Sequence, residues 1–199
     1  MKVAIIGTAG RREDGARLDA RAWSKMQEDV KQRIEELGHD VELVSGGSAW
    51  ADHLAVWLYL QGVVHKIELA LPADIRKGRF VEGIGRADPG RTLNYYHELF
   101  SGKIYRGWEH RERVAGETLT RGAIASVAEI EEALGGEGCV ATYWDGFRER
   151  NKWVAAISDV VLAYTFGKGD TPRDGETHDT WKRCNSGVRK IHVSLEDLL

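Results

Sequence analysis

Three short apolar runs, "KVAII" at 2–6, "DVELV" at 40–44 and "HKIELAL" at 65–71, alternate with two stretches of helical spacing. That alternation constrains the fold more than any other feature. The first run ends at Gly7 and the third is stopped by Pro72, as buried parallel strands end where their loops begin. Between the first two, Trp23, Met26, Val30, Ile34 and Leu37 recur at three- and four-residue steps and Gly38 closes the segment. This is an amphipathic helix. From Ala49 to Leu60 the chain is apolar almost all round, so a second helix is expected there, buried either in the core or against a second copy of the chain.

The rhythm breaks after Pro72. Residues 73–120 read as an insertion over the sheet edge: irregular loop, a short helix near Thr92 to Ser101 within "LNYYHELF", then more loop. It resumes with a helix at about Arg121 to Leu134, a strand in "GCVATYW", a helix in "RERNKWVAAIS", a strand in "DVVLAYTF", a helix in "HDTWKRCNS" and a last strand in "KIHVSL". Strands and helices in alternation predict one α/β domain over 1–199: a Rossmann-like, open, mostly parallel sheet with helices on both faces.

Composition narrows the function. Hydrophobic residues make up 42% and charged residues 30% of the 199 positions, and the net charge is −3. That is a folded chain without the global basic field that duplex nucleic acid requires, although a local groove for a single strand is permitted. Cys139 and Cys184 sit in no metal-binding spacing, which suits a reducing compartment. Cys184, beside Lys182 and Arg183, reads either as a mildly activated thiol or as an ordinary one. No run approaches the ~20 apolar residues of a membrane span, and the N-terminal apolar run is short for a signal peptide. A cytoplasmic protein is expected. His39, His53, His65, His110 and His192 form no i, i+4 pair, so neither a metal nor a cofactor is implied.

Ligands of such sheets sit at the carboxyl ends of the strands, and three loops there carry distinctive residues. In "GTAGRR", Gly7 lets backbone approach a ligand, Thr8 offers a hydroxyl, and Arg11 or Arg12 can fork onto phosphate. In "SGGS", Ser45, Gly46, Gly47 and Ser48 would present N–H groups at a helix start, with Asp52 one turn in to accept from ribose hydroxyls. Alternatively Ser48 is a plain helix cap. The third group joins Arg150 and Asn151, at the start of an otherwise apolar helix, with "KGDTPRDGETHDTW". There Gly175, Glu176, Thr177, His178 and Thr180 open another helix.

These segments resemble the SLOG superfamily, the Rossmann-like nucleotide-sensing fold shared by DprA-type DNA-processing proteins, LOG-type nucleotide phosphoribohydrolases and short phage-type members. "VSGGSAWADHLA" is similar to its SGG-x-x-G-x-D signature, and "GFRERNKWVAAISDVVLAY" to its F-x-x-RN segment. "DGETHDTWKRC" is similar to its GT-type helix start and "RKIHVSL" to its final strand. The resemblance covers about 1–72 and 144–195. It implies a nucleotide or phosphoribosyl ligand held by Gly7, Thr8, Ser45, Gly46, Gly47, Asp52, Arg150, Asn151, Gly175, Thr177 and Thr180. The chain departs from the hydrolase branch, where Thr180 replaces a carboxylate and Glu176 a glycine. Trp50 also stands where glycine is common, and it or an insertion aromatic is expected to stack on a base.

Three readings follow. The first is a sensor or sequestering protein for a nucleotide-like small molecule, with Tyr95, Tyr96 and His97 serving as a lid or simply packing the insertion. The second is a nucleoside-monophosphate N-glycosidase, which needs a carboxylate near the anomeric carbon; Glu176, Asp179, Asp52 and Glu98 are the candidates. The third is a single-strand nucleic-acid binder using "RKGRF", "KIYRGWEHRER" and "RERNKW".

Overall fold

The computed structural model describes residues 1–85, 88–105, 122–172 and 175–199. Its elements, in chain order, are β1 (Lys2–Gly7), α1 (Glu13–Arg17), α2 (Ala20–Leu37), β2 (Glu42–Ser45), α3 (His53–Leu60), β3 (Ile67–Leu71), β4 (Ile75–Arg76), β5 (Arg79–Phe80), α4 (Pro89–Ile104), α5 (Ala125–Leu134), β6 (Cys139–Tyr143), α6 (Gly146–Ile157), β7 (Val160–Thr165), α7 (Gly175–Arg183), β8 (Arg189–Ser194) and α8 (Leu195–Leu198). Six strands form one sheet in the order β6-β3-β2-β1-β7-β8. Every neighbouring pair is parallel. The fold is the expected Rossmann-like α/β sheet.

Period-2 alternation along each strand sorts the side chains between two faces. Val3, Ile5, Leu43, Ile67 and Leu69 point to the larger core, under α2, α3, α4 and α5. Ala4, Ile6, Val44, Ala70, Val161 and Ala163 point to the smaller one, under α6 and α7. The alanines on that second face let α6 lie close to the sheet. Central strands β3 and β7 are buried throughout, whereas the edges β6 and β8 are only partly covered. Helix α2 is capped by Asp19, whose carboxylate accepts from the Ala22 N–H at 2.8 Å, and its buried stripe is Trp23, Met26, Val30 and Ile34.

The insertion differs from its sequence reading. It holds a two-stranded antiparallel hairpin, β4–β5, and a helix of 16 residues instead of a short one. Asp88 starts that helix, accepting from the Arg91 N–H at 2.7 Å, and Pro89 occupies the first turn, where its missing N–H costs nothing. Instead of lying over the sheet edge, the described part of the insertion joins the main helical layer. Phe100 is fully buried, with its ring centroid 4.9 Å from Trp23 and 4.8 Å from Trp50. Asn94 ties α4 to the hairpin through both directions of the Phe80 peptide, at 2.9 Å each.

Three boundaries also move. Residues 49–52 form a turn, and α3 begins only at His53. Helix α6 begins at Gly146, which puts Arg150 and Asn151 in its second turn. Helix α5 begins at Ala125, and Arg121 lies outside the described residues. The apolar side chains of α3 are covered by this chain itself: Leu54, Ala55, Val56 and Leu58 are fully buried, so they need no second copy. Among the described residues no helix is long and apolar enough to cross a membrane.

Candidate functional site

Strand β1 has β2 and β3 on one side and β7 and β8 on the other. The connections reverse direction at this point, and the loops leaving β1, β2 and β7 diverge and leave a crevice. A cavity of about 490 Å³ lies there, within the size range of small-molecule sites. Twelve of the expected residues line it: Gly7, Thr8, Arg11, Gly46, Ser48, Asp52, Arg150, Asn151, Gly175, Glu176, Thr177 and Thr180. Ser45 and Gly47 do not.

The β1 loop begins with a position only glycine can fill, since a Cβ on Gly7 would lie 2.1 Å from the Tyr164 carbonyl oxygen. The Thr8 hydroxyl donates to Asp14 at 2.7 Å and accepts from the Gly10 N–H at 3.1 Å. It therefore braces its own loop. Arg11 reaches across the crevice to Glu176 at 3.2 Å, and its guanidinium lies 5.4 Å from the centroid of the Tyr96 ring. The insertion thus touches the rim of the site through Tyr96.

The β2 turn is the most enclosed part of the site. Ser45 is fully buried; its hydroxyl donates to the Asp52 carbonyl at 2.9 Å and accepts from the Gly47 N–H at 3.1 Å. Ser45 and Gly47 are therefore framework, and the expected row of N–H groups at a helix start is already partly consumed. Gly47 sits at φ +70° and Gly46 lies against the arginine: a Cβ on Gly46 would be 1.6 Å from Arg150 Nη1.

Arg150 is the centre of the arrangement. It is 4% exposed, and its Nη1 donates to the Gly46 carbonyl at 2.6 Å and to Asp52 at 3.2 Å. Ser48 lies beside the pair, its hydroxyl 3.5 Å from Arg150 Nη1, and it favours the charged form of Asp52. Burial disfavours both charges. It raises the Asp52 carboxyl above its ordinary range against the opposing pull of Arg150, and it lowers the Arg150 guanidinium against the pull of Asp52. Arg150 Nε is buried without any hydrogen-bond partner among the described residues. A buried cation with an unused donor, beside a crevice, is poised for an acceptor from outside the chain.

The third wall comes from the β7 loop and α7. Gly175 opens the helix at φ +77°. The Thr177 hydroxyl donates to the Gly7 carbonyl at 3.1 Å, and the Thr180 hydroxyl donates back to the Glu176 carbonyl at 2.9 Å. Both threonines face the cavity with their protons already engaged. Arg173 and Asp174 lie outside the described residues.

Glu13, Asp14, Phe166, Lys168 and Glu196 also line the cavity, and sequence reasoning missed them. A pair of acids directly after the first strand-end loop, and another after the last strand in "SLEDLL", were the available signals. With these included, the described lining holds five carboxylates (Glu13, Asp14, Asp52, Glu176 and Glu196) and three cations (Arg11, Arg150 and Lys168).

Several expected residues are placed elsewhere. Trp50 is 2% exposed, packed edge-on against Trp23 and Phe100, and cannot stack on a base. Its φ of +59° keeps the left-handed geometry that suits a glycine at this turn. His97 is fully buried and is no lid. Its Nε2 donates to the Gly47 carbonyl at 3.0 Å, which leaves Nδ1 to accept from the Ser126 hydroxyl at 2.8 Å. Burial, reinforced by neighbouring His53, lowers its pKa to about 3, so the ring is neutral. Glu98 pairs with Arg79 at 2.6 Å, and neither it nor Asp179 lines the cavity.

Cys184 donates to the Thr180 carbonyl, and burial pushes its thiol up, which is the ordinary thiol and not the activated one. Phe80 of "RKGRF" is buried in the core, and the Trp153 ring N–H of "RERNKW" donates to Glu68 at 2.7 Å. Most of "KIYRGWEHRER", with His110, lies outside the described residues.

No family model matches the sequence. The chain is 31% identical to the uncharacterized protein R261 of Acanthamoeba polyphaga mimivirus over 200 aligned positions, which cover 98% of this chain and 96% of the viral protein. At that identity, and over nearly the full length of both proteins, the chain belongs to the same family as the mimivirus protein.

Proposed function

We propose that this cleft binds a nucleotide or nucleotide-derived small molecule, and that the protein is a sensor or sequestering member of the SLOG superfamily. The observation that carries this reading is Arg150: a buried guanidinium, with one N–H unpartnered, lining a cavity at the reversal point of a parallel sheet. Gly46 and Ser48 beside it supply a close backbone and a hydroxyl, and Asp52 supplies an acceptor for a ribose. Cys139 and Cys184 are free thiols, which fits a cytoplasmic setting.

The test is to incubate the purified protein with ribo- and deoxyribonucleosides and their monophosphates, NAD, ADP-ribose and cyclic nucleotides. Bound and free fractions are then resolved by mass spectrometry. Retention of one compound intact is the expected result. Arg150→Gln should weaken that retention about tenfold to a hundredfold, as the loss of a charge-assisted contact does. Retention of nothing would overturn the reading. A second reading, an N-glycosidase, draws on one observation: Asp52 and Glu176 are the two of its four candidate carboxylates that face the cavity. Free base accumulating with time would favour it.

A further inference from the structure

Glu176 stands at the head of α7, where the helix dipole and Arg11 would otherwise draw a ligand's phosphate. Its carboxylate is instead held by Arg11 at 3.2 Å, across the mouth of the cleft. The two hydroxyls nearest that position, Thr177 and Thr180, donate to carbonyl oxygens of the chain itself. Carboxylates outnumber cations in the described lining by five to three, and Arg11 and Arg150 each already face a carboxylate. The unused donor is Nε of Arg150, on α6.

We propose that Glu176 is a specificity-determining residue that fills the anion position at the head of α7 from within the chain. The cleft then discriminates against ligands by their number of phosphates. A ligand places its acceptor against Arg150 and an uncharged, hydroxyl-bearing part against Glu176 and Arg11. A polyphosphate would bring further negative charge beside the Glu176 carboxylate, whose ion-pair partner among the described residues is Arg11, in a crevice less screened than open water. This inference rests on the nucleotide reading above and names the ligand class within it.

The experiment is calorimetric titration at low salt, without divalent cations. Nucleosides of each base, and their mono-, di- and triphosphates, are titrated into the wild type, Glu176→Gln and Glu176→Asp. Affinity should fall about tenfold with each phosphate beyond the first, one added repulsion at partly screened distance. Glu176→Gln should flatten that series, so that mono-, di- and triphosphates bind within about twofold of one another, while Glu176→Asp, which keeps the charge, should retain it. Glu176 has a side chain 44% exposed, so the variants keep the fold, and thermal unfolding measured in parallel checks this. Affinity that rises with phosphate number in the wild type would overturn the inference and leave the nucleotide reading standing. So would a Glu176→Gln effect equal for nucleosides and triphosphates. Absence of binding by every compound to all three proteins would overturn both.

Discussion

The turn after β2 and the loop after β7 face each other across the same cleft, yet they are built in opposite ways. The first is closed from every side: Ser45 ties its two ends, His97 holds the Gly47 carbonyl from α4, and Arg150 holds the Gly46 carbonyl from α6. The second is open. Lys168, Gly169 and Asp170 are exposed, no described residue lies within 4 Å of where a Cβ on Gly175 would sit, and its links across the cleft are the half-exposed pair Arg11–Glu176 and the Thr177 hydroxyl on the Gly7 carbonyl. One wall of the site is thus preorganised by buried hydrogen bonds and charge, and the other is held by contacts that water can replace. A ligand would find its acceptor partner fixed at Arg150 and its adjustable partners at α7.

The sharpest way to break that contrast is Arg150→Gln. It leaves Asp52 buried without a counter-charge, and the expected cost is about 3–5 kcal/mol in urea unfolding. A loss below about 1 kcal/mol would mean that the turn is not held by the pair. Next comes a matched pair of glycine substitutions. Gly46→Ala forces a Cβ into the guanidinium and should cost about 2–4 kcal/mol. Gly175→Ala meets only the penalty of positive φ, about 1 kcal/mol. Equal costs would erase the distinction between the two walls.

The third test is a pH slope. Folded His97 stays neutral down to about pH 3, whereas in the unfolded chain it takes a proton near its ordinary value of 6.5. The unfolded state therefore binds more protons within that window. Stability falls as pH is lowered through it, by up to about 1.4 kcal/mol per pH unit from this one group. His97→Gln should show a slope shallower by that amount, read from denaturation midpoints between pH 6 and pH 4. An unchanged slope would show that His97 does not clamp the β2 turn in its neutral form.

Much of the arrangement was legible in the residues, and the gaps have physical causes. Backbone geometry writes itself into composition: Gly7, Gly46 and Gly175 could be singled out because only glycine tolerates those approaches or angles. Arg150 could be singled out because, with Asn151, it leads into the apolar run Trp153, Val154 and Ile157, where a polar head must meet something. Ser45 and Gly47 read as ligand contacts because a strand-end serine and glycine look alike whether they face a ligand or tie the turn. Trp50 defeated the same logic, since its left-handed backbone is what the motif's glycine would adopt while its ring belongs to the core. Glu13, Asp14, Phe166, Lys168 and Glu196 reach the cavity only because β1, β7 and β8 end side by side.

The parallel α/β sheet, its strands and most of the strand-end residues around the cleft can be read from the residues alone. These follow from periodicity and backbone sterics, which act within a few residues. Packing over long sequence distances settles that the described part of the insertion completes the main core, that His97 and Ser45 are framework, and that Asp52 and Arg150 share one buried pair. The same holds for Glu176 closing on Arg11. Each of those joins residues distant in the chain, and their partners are chosen by which strands lie adjacent and by how much water the packing removes, quantities that no local pattern of residues encodes.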